Sequence, residues 1–154
     1  VRVYPTLLFL KPNGTEIRRI KGFLPANELV PIMEQVLSSN RESEITWLDD
    51  ISKAFEEAKL NGKKVFVDGY TDDCSWCKKL ETETFTDATF ISVAKNYVLL
   101  KVNANIQKDF ANKYKVRAFP TMLFLKDDET EIRRIKGFLP ANELTPIMEE
   151  VLSN

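Results

Sequence analysis

Apolar and polar positions along this chain fall into blocks with two different periods. Residues 64–69 carry Val65-Phe66-Val67, and residues 97–102 carry Val98-Leu99-Leu100. Runs this short and this rich in branched side chains predict buried strands. Residues 121–126 predict another. Residues 130–136 set Ile132 and Ile135 among charges, as a strand near a sheet edge would. Helical spacing fills the gaps. Trp47, Ile51, Phe55 and Ala58 form a stripe that ends near Asn61-Gly62. Residues 74–81 predict a helix, and Asp87 caps a second one bearing Phe90, Ile91 and Val93. Phe110 and Tyr114 mark a helix over residues 106–114. Pro140 opens the last, with Leu144, Ile147, Met148 and Val151 on one face. From about residue 43 the predicted order is α-β-α-β-α-β-β-α. Helices between strands require parallel pairing, and the closing hairpin adds antiparallel strands, which makes one mixed α/β sheet with helices on both faces.

The closing β-β-α block also opens the chain. Residues 1–39 align without a gap to residues 116–154, with 30 identities in those 39 positions. The differences include Tyr4 against Phe119, Val30 against Thr145, and Pro12-Asn13-Gly14 against Asp127-Asp128-Glu129. Asn13-Gly14 is a strong hairpin signal. The predicted organisation is a partial repeat over residues 1–39, a polar linker over 40–44 and a complete domain over 45–154. A block of about 40 residues rarely buries enough surface to stand alone. It is the tail of a preceding domain in a tandem array, or an alternative to the second copy in the same sheet, or an element swapped into another chain. The last predicts a homo-oligomer.

Composition removes several function classes. The net charge of −1 gives no general attraction to nucleic acid. No apolar run approaches the roughly 20 residues of a membrane span, and the opening Val-Arg-Val-Tyr-Pro does not read as a signal peptide. The chain has no histidine, which excludes Ser-His-Asp and Cys-His pairs and His-ligated metals.

Chemistry concentrates at Asp73-Cys74-Ser75-Trp76-Cys77-Lys78, which holds both cysteines. Cys-x-x-Cys between a strand and a helix is a redox arrangement. Free amides at the helix start favour a thiolate at Cys74, and one turn on Cys77 can close a small disulfide. Zinc would require four ligands, and no second cysteine pair is present, so metal is the weaker reading. Asp72 and Asp73 are candidate caps whose charge opposes the thiolate, while Lys78 and Lys79 favour it. Trp76 is either an exposed contact for substrate or packed on its own domain.

The order of elements, with Cys-x-x-Cys after the first strand, resembles thioredoxin over residues 43–154. Asp68, six positions before Cys74, stands where that family keeps a buried aspartate beneath its second cysteine. Phe119-Pro120-Thr121 resembles its cis-proline loop, Lys101 a lysine that approaches the aspartate, and Gly137 a glycine beside the substrate groove. Cys-x-Trp-Cys-Lys-Lys followed by Glu-Thr-Phe-Thr-Asp is similar to the bacterial branch that includes the C-terminal domain of the transmembrane disulfide-transport reductase. The resemblance implies a thioredoxin-like fold and thiol-disulfide exchange on protein substrates. Cys74 would be the nucleophile, Cys77 the resolving thiol and Asp68 its proton acceptor, with Lys101 as charge partner. Trp76, Phe119, Pro120 and Gly137 would hold substrate. It implies no cofactor, an upstream thiol reductant, and a place in the bacterial envelope. Reduction and oxidation both stay open as directions, as does a binding module whose thiols rarely turn over.

Overall fold

The computed structural model describes residues 5–11, 14–43 and 45–154, the side chains of 38–43 excepted. The chain forms two compact units, Val1–Glu44 and Ile45–Asn154.

The second unit runs β3 (Trp47–Leu48), α2 (Ile51–Asn61), β4 (Lys64–Tyr70), α3 (Ser75–Lys79) and a π-helical turn (Leu80–Thr84). It continues with α4 (Ala88–Ala94), β5 (Tyr97–Asn103), α5 (Lys108–Lys113), β6 (Thr121–Leu125), β7 (Glu131–Lys136) and α6 (Ala141–Leu152). The sheet order is β3-β5-β4-β6-β7, with β3 and β4 parallel to β5 and the last two strands antiparallel. Period-two alternation splits the core. Val65, Val67, Val98, Leu100, Leu123 and Leu125 face α2 and α5. Phe66, Leu99, Met122 and Phe124 face the other way, onto Leu80, Phe90, Leu144 and Met148. Asp68 follows Phe66 by two residues and Lys101 follows Leu99 by two, so alternation puts both on that second face.

Trp47 departs from the predicted helix. It lies on the short strand β3, level with Leu99, and α2 starts only after Asp50, whose carboxylate accepts the Lys53 N–H. The four-residue spacing of Trp47 and Ile51 belongs to a strand followed by a cap.

The first unit holds β1 (Thr6–Leu10), β2 (Glu16–Lys21) and α1 (Ala26–Ser43). Of the hairpin signal, Asn13 lies outside the described residues, while Gly14 takes a left-handed φ of 83°. The polar run predicted as a linker is helical through Ser43; no glycine or proline interrupts it. The two copies share their local structure. Thr6 pairs Lys21 as Thr121 pairs Lys136, and the ladder shifts between Phe9 and Leu10 as it does between Phe124 and Leu125. Arg19 binds Glu16 as Arg134 binds Glu131.

Candidate active site

Strand β4 ends at Tyr70, and a short loop delivers the chain to Cys74. Neither aspartate of that loop caps α3. Cys74 does, in extended backbone, with its Sγ accepting the Cys77 N–H at 3.1 Å. Asp72 instead accepts a hydrogen bond from the Asn103 amide at 3.1 Å, which ties the loop to the end of β5. The two cysteines form a disulfide, their Cα atoms 5.2 Å apart. Cys77 is buried and Cys74 half-buried, so substrate reaches the first sulfur more readily.

A pocket of about 210 Å³ lies beside Cys77, lined by Asp68, Asp72, Lys78, Glu81 and Lys101 among others. Asp68 is 3% exposed, and its Oδ1 has no hydrogen-bond partner. Burial raises its pKa from 3.8 to about 7; the positive charge of Lys101 opposes the rise and the negative charge of Glu81 adds to it. Lys101 does not hydrogen-bond Asp68. Its ammonium bonds the Glu81 carboxylate and lies 5.5 Å from the Trp47 ring. Glu81 is the residue that sequence reasoning passed over. Its place one turn beyond Cys77 was the available signal. The π turn that carries it is anchored by Thr84, whose hydroxyl donates to the Leu139 carbonyl at 2.8 Å.

The other wall comes from β6 and the loop after β7. Gly69 on β4 pairs with Thr121, so Phe119-Pro120 reaches the same end of the sheet as the loop to Cys74. The Phe119–Pro120 peptide is cis. Gly137, in left-handed backbone at φ 92°, donates its N–H to the Pro120 carbonyl at 2.7 Å. The Phe119 ring packs on the core of the opposite face and lines a separate pocket with Ala104 and Arg117. Trp76 is both exposed and packed. It is 54% exposed, yet its ring lies 5.9 Å from Phe138, with the Lys79 ammonium 5.1 Å from one ring and 4.9 Å from the other.

Comparison with known proteins bears on this geometry. Residues 51–152 match the model of the family described as Thioredoxin-like domain. The chain is 30% identical over 111 residues to the thiol:disulfide interchange protein DsbD of Pseudoalteromonas atlantica, an alignment covering 68% of this chain and 19% of that protein. It is 33% identical over 90 residues to a thioredoxin of Mycoplasmoides gallisepticum, covering 56% of this chain and 83% of the relative. It is 26% identical over 141 residues, covering 87% of this chain and 39% of the relative, to a protein disulfide-isomerase of Schizosaccharomyces pombe. That alignment is longer than the second unit and takes in part of the first. The chain therefore spans well under half the length of the disulfide-isomerase and DsbD relatives. Among solved structures, a thioredoxin from Thermus thermophilus superposes with a TM-score of 0.64 at 21% identity, covering 70% of this chain and 87% of that one. With the family model spanning most of the second unit, this chain belongs to the thioredoxin-like family.

Proposed function

We propose that this chain is a thiol-disulfide oxidoreductase that exchanges disulfides of protein substrates through Cys74 and Cys77. In the reducing direction, the Cys74 thiolate attacks one sulfur of a substrate disulfide, and the other substrate sulfur leaves as a thiolate. The mixed disulfide is resolved when the Cys77 thiolate attacks Cys74 Sγ. The second substrate sulfur departs, and two electrons have passed from the dithiol to the substrate. Asp68 accepts the Cys77 proton during resolution; a carboxyl whose pKa lies near 7 is matched to that task. Lys101, held by Glu81, keeps that pKa from rising further. The backbone of Phe119, beside the cis proline, offers pairing groups to an extended substrate, Gly137 holds the Pro120 carbonyl in place, and the Trp76 ring offers an apolar contact beside the disulfide.

The observation that carries this reading is the disulfide at the head of α3, whose inner cysteine lines one pocket with the buried Asp68, a carboxyl whose Oδ1 has no hydrogen-bond partner. The partners are disulfide-bearing proteins and an upstream thiol reductant. The likeness to DsbD supports work in the bacterial envelope. Among the described residues no helix is long and apolar enough to cross a membrane. Insulin reduction driven by a small dithiol tests the proposal. Catalysis is expected from the intact chain, none from Cys74→Ser, and a trapped mixed disulfide from Cys77→Ser. Insulin reduction that survives Cys74→Ser unchanged overturns it.

A further inference from the structure

Lys79 stands apart from the other cations around the dithiol. Lys78 lines the acidic pocket with Asp68, Asp72 and Glu81, and Lys101 bonds Glu81. Lys79 turns to the other wall, where its ammonium lies 5.1 Å from the centre of the Trp76 ring and 4.9 Å from that of Phe138. Glu83, one turn on, forms no ion pair with it, nor does any other carboxylate among the described residues. Its N–H donors find no acceptor among those residues either. The two ring faces attract the charge and leave its donors free.

The rings that hold the ammonium are themselves fixed. Trp76 lies on α3, between the two cysteines. Phe138 follows Gly137, whose N–H donates to the Pro120 carbonyl at 2.7 Å, and precedes Leu139, whose carbonyl accepts the Thr84 hydroxyl at 2.8 Å. The charge is therefore pinned at the seam between the dithiol helix and the loop beside Phe119–Pro120. The seam is open to solvent, with Trp76 exposed and Lys79 and Phe138 half-buried.

We propose that Lys79 is a specificity-determining residue, and that with Trp76 and Phe138 it forms a subsite for a carboxylate side chain beside the reactive cysteine of a protein substrate. This assignment rests on thiol-disulfide exchange at Cys74 and Cys77. The methylenes of a substrate glutamate lie against the rings, and its carboxylate takes the free N–H donors. A lysine already held between two rings gives up little rotamer freedom on pairing, and that loss is what weakens ordinary surface ion pairs. An amine in the same place is repelled. Asp73, exposed ahead of Cys74, repels carboxylates, so the preference belongs to the side of the substrate cysteine that meets Phe138.

The test uses peptide disulfides that differ in one residue beside the cysteine, Glu, Gln or Lys, placed before it in one series and after it in the other. Each rate is divided by that for a small dithiol alone, which removes the peptide's own reactivity. At low salt, in one of the two series, kcat/KM should run Glu above Gln above Lys, by about threefold or more per step. The difference should lie in KM and fade as salt rises. Lys79→Gln should bring the Glu and Gln peptides together, Lys79→Arg should keep the order, and Lys79→Glu should invert it in favour of the Lys peptide. A merely structural role for Lys79 would shift all three peptides alike. Absence of a Glu preference in both series overturns the proposal, and so does a Glu preference that Lys79→Gln leaves intact. Exchange at Cys74 stands in either case as long as the Gln peptide is reduced. A Gln peptide that is not reduced overturns the oxidoreductase reading, and the subsite with it.

Discussion

Replacing Asp68 by asparagine removes a buried ionisable group while keeping its shape, and the consequence should depend on pH in a calculable way. The folded protein holds the Asp68 proton up to about pH 7, whereas an unfolded aspartate loses it near 3.8. Between those values the folded state binds more protons than the unfolded state, so stability falls as pH rises. The contribution is fully present below about pH 3.8 and gone above about pH 7. At about 1.36 kcal/mol for each pH unit separating the two values, the loss reaches about 4 kcal/mol. An asparagine side chain at this position carries no such dependence. The assay is chemical denaturation of the oxidised protein from about pH 4 to pH 8, with Asp68→Asn beside the unaltered chain. Keeping the disulfide closed removes thiol titration, and the difference between the two proteins cancels other groups. The variant should match the unaltered protein near pH 4 and exceed it by up to about 4 kcal/mol at pH 8. A difference that stays flat over this range would refute the reasoning, because Asp68 would then titrate alike in both states.

Glu81→Gln removes the charge that raises Asp68 and frees Lys101, so the carboxyl should titrate lower; carbon-detected NMR of the Asp68 side chain reads the midpoint, and an unchanged midpoint counts against the arrangement. Gly69→Ala sets a Cβ 3.1 Å from the Thr121 carbonyl oxygen, which pushes β6 and the loop before it; a loss of about 1–3 kcal/mol in denaturation is expected, with slower insulin reduction. Tyr97→Phe deletes a buried hydroxyl that donates to the Met148 carbonyl at 2.5 Å, and thermal or chemical denaturation should register a loss of about 1–3 kcal/mol with the potential of the disulfide unmoved.

Much of the fold was legible because its signals are local. Val65-Phe66-Val67 announces a central strand by composition, and Asp87 caps α4 by its own side chain, accepting the Thr89 N–H at 2.8 Å. Where reading failed, two local signals overlapped. Trp47 sits at helical distance from Ile51, and only pairing with β5 makes it a strand. Aspartates are the usual caps and two of them precede α3, yet the sulfur of Cys74 holds that place. The polar run after residue 39 stays helical through Ser43, because polarity alone does not break a helix.

The amino-acid sequence by itself determined most of the elements, the dithiol and the alternation that sends Asp68 and Lys101 to one face. Each depends on spacing within a few residues. Tertiary structure decided which charges meet, Lys101 with Glu81 twenty residues earlier, and which rings touch, Trp76 with Phe138. It also decided burial. The two β-β-α copies fold to one local pattern, and one is core while the other lies open, because burial is a property of what stands opposite a surface and not of the residues that form it.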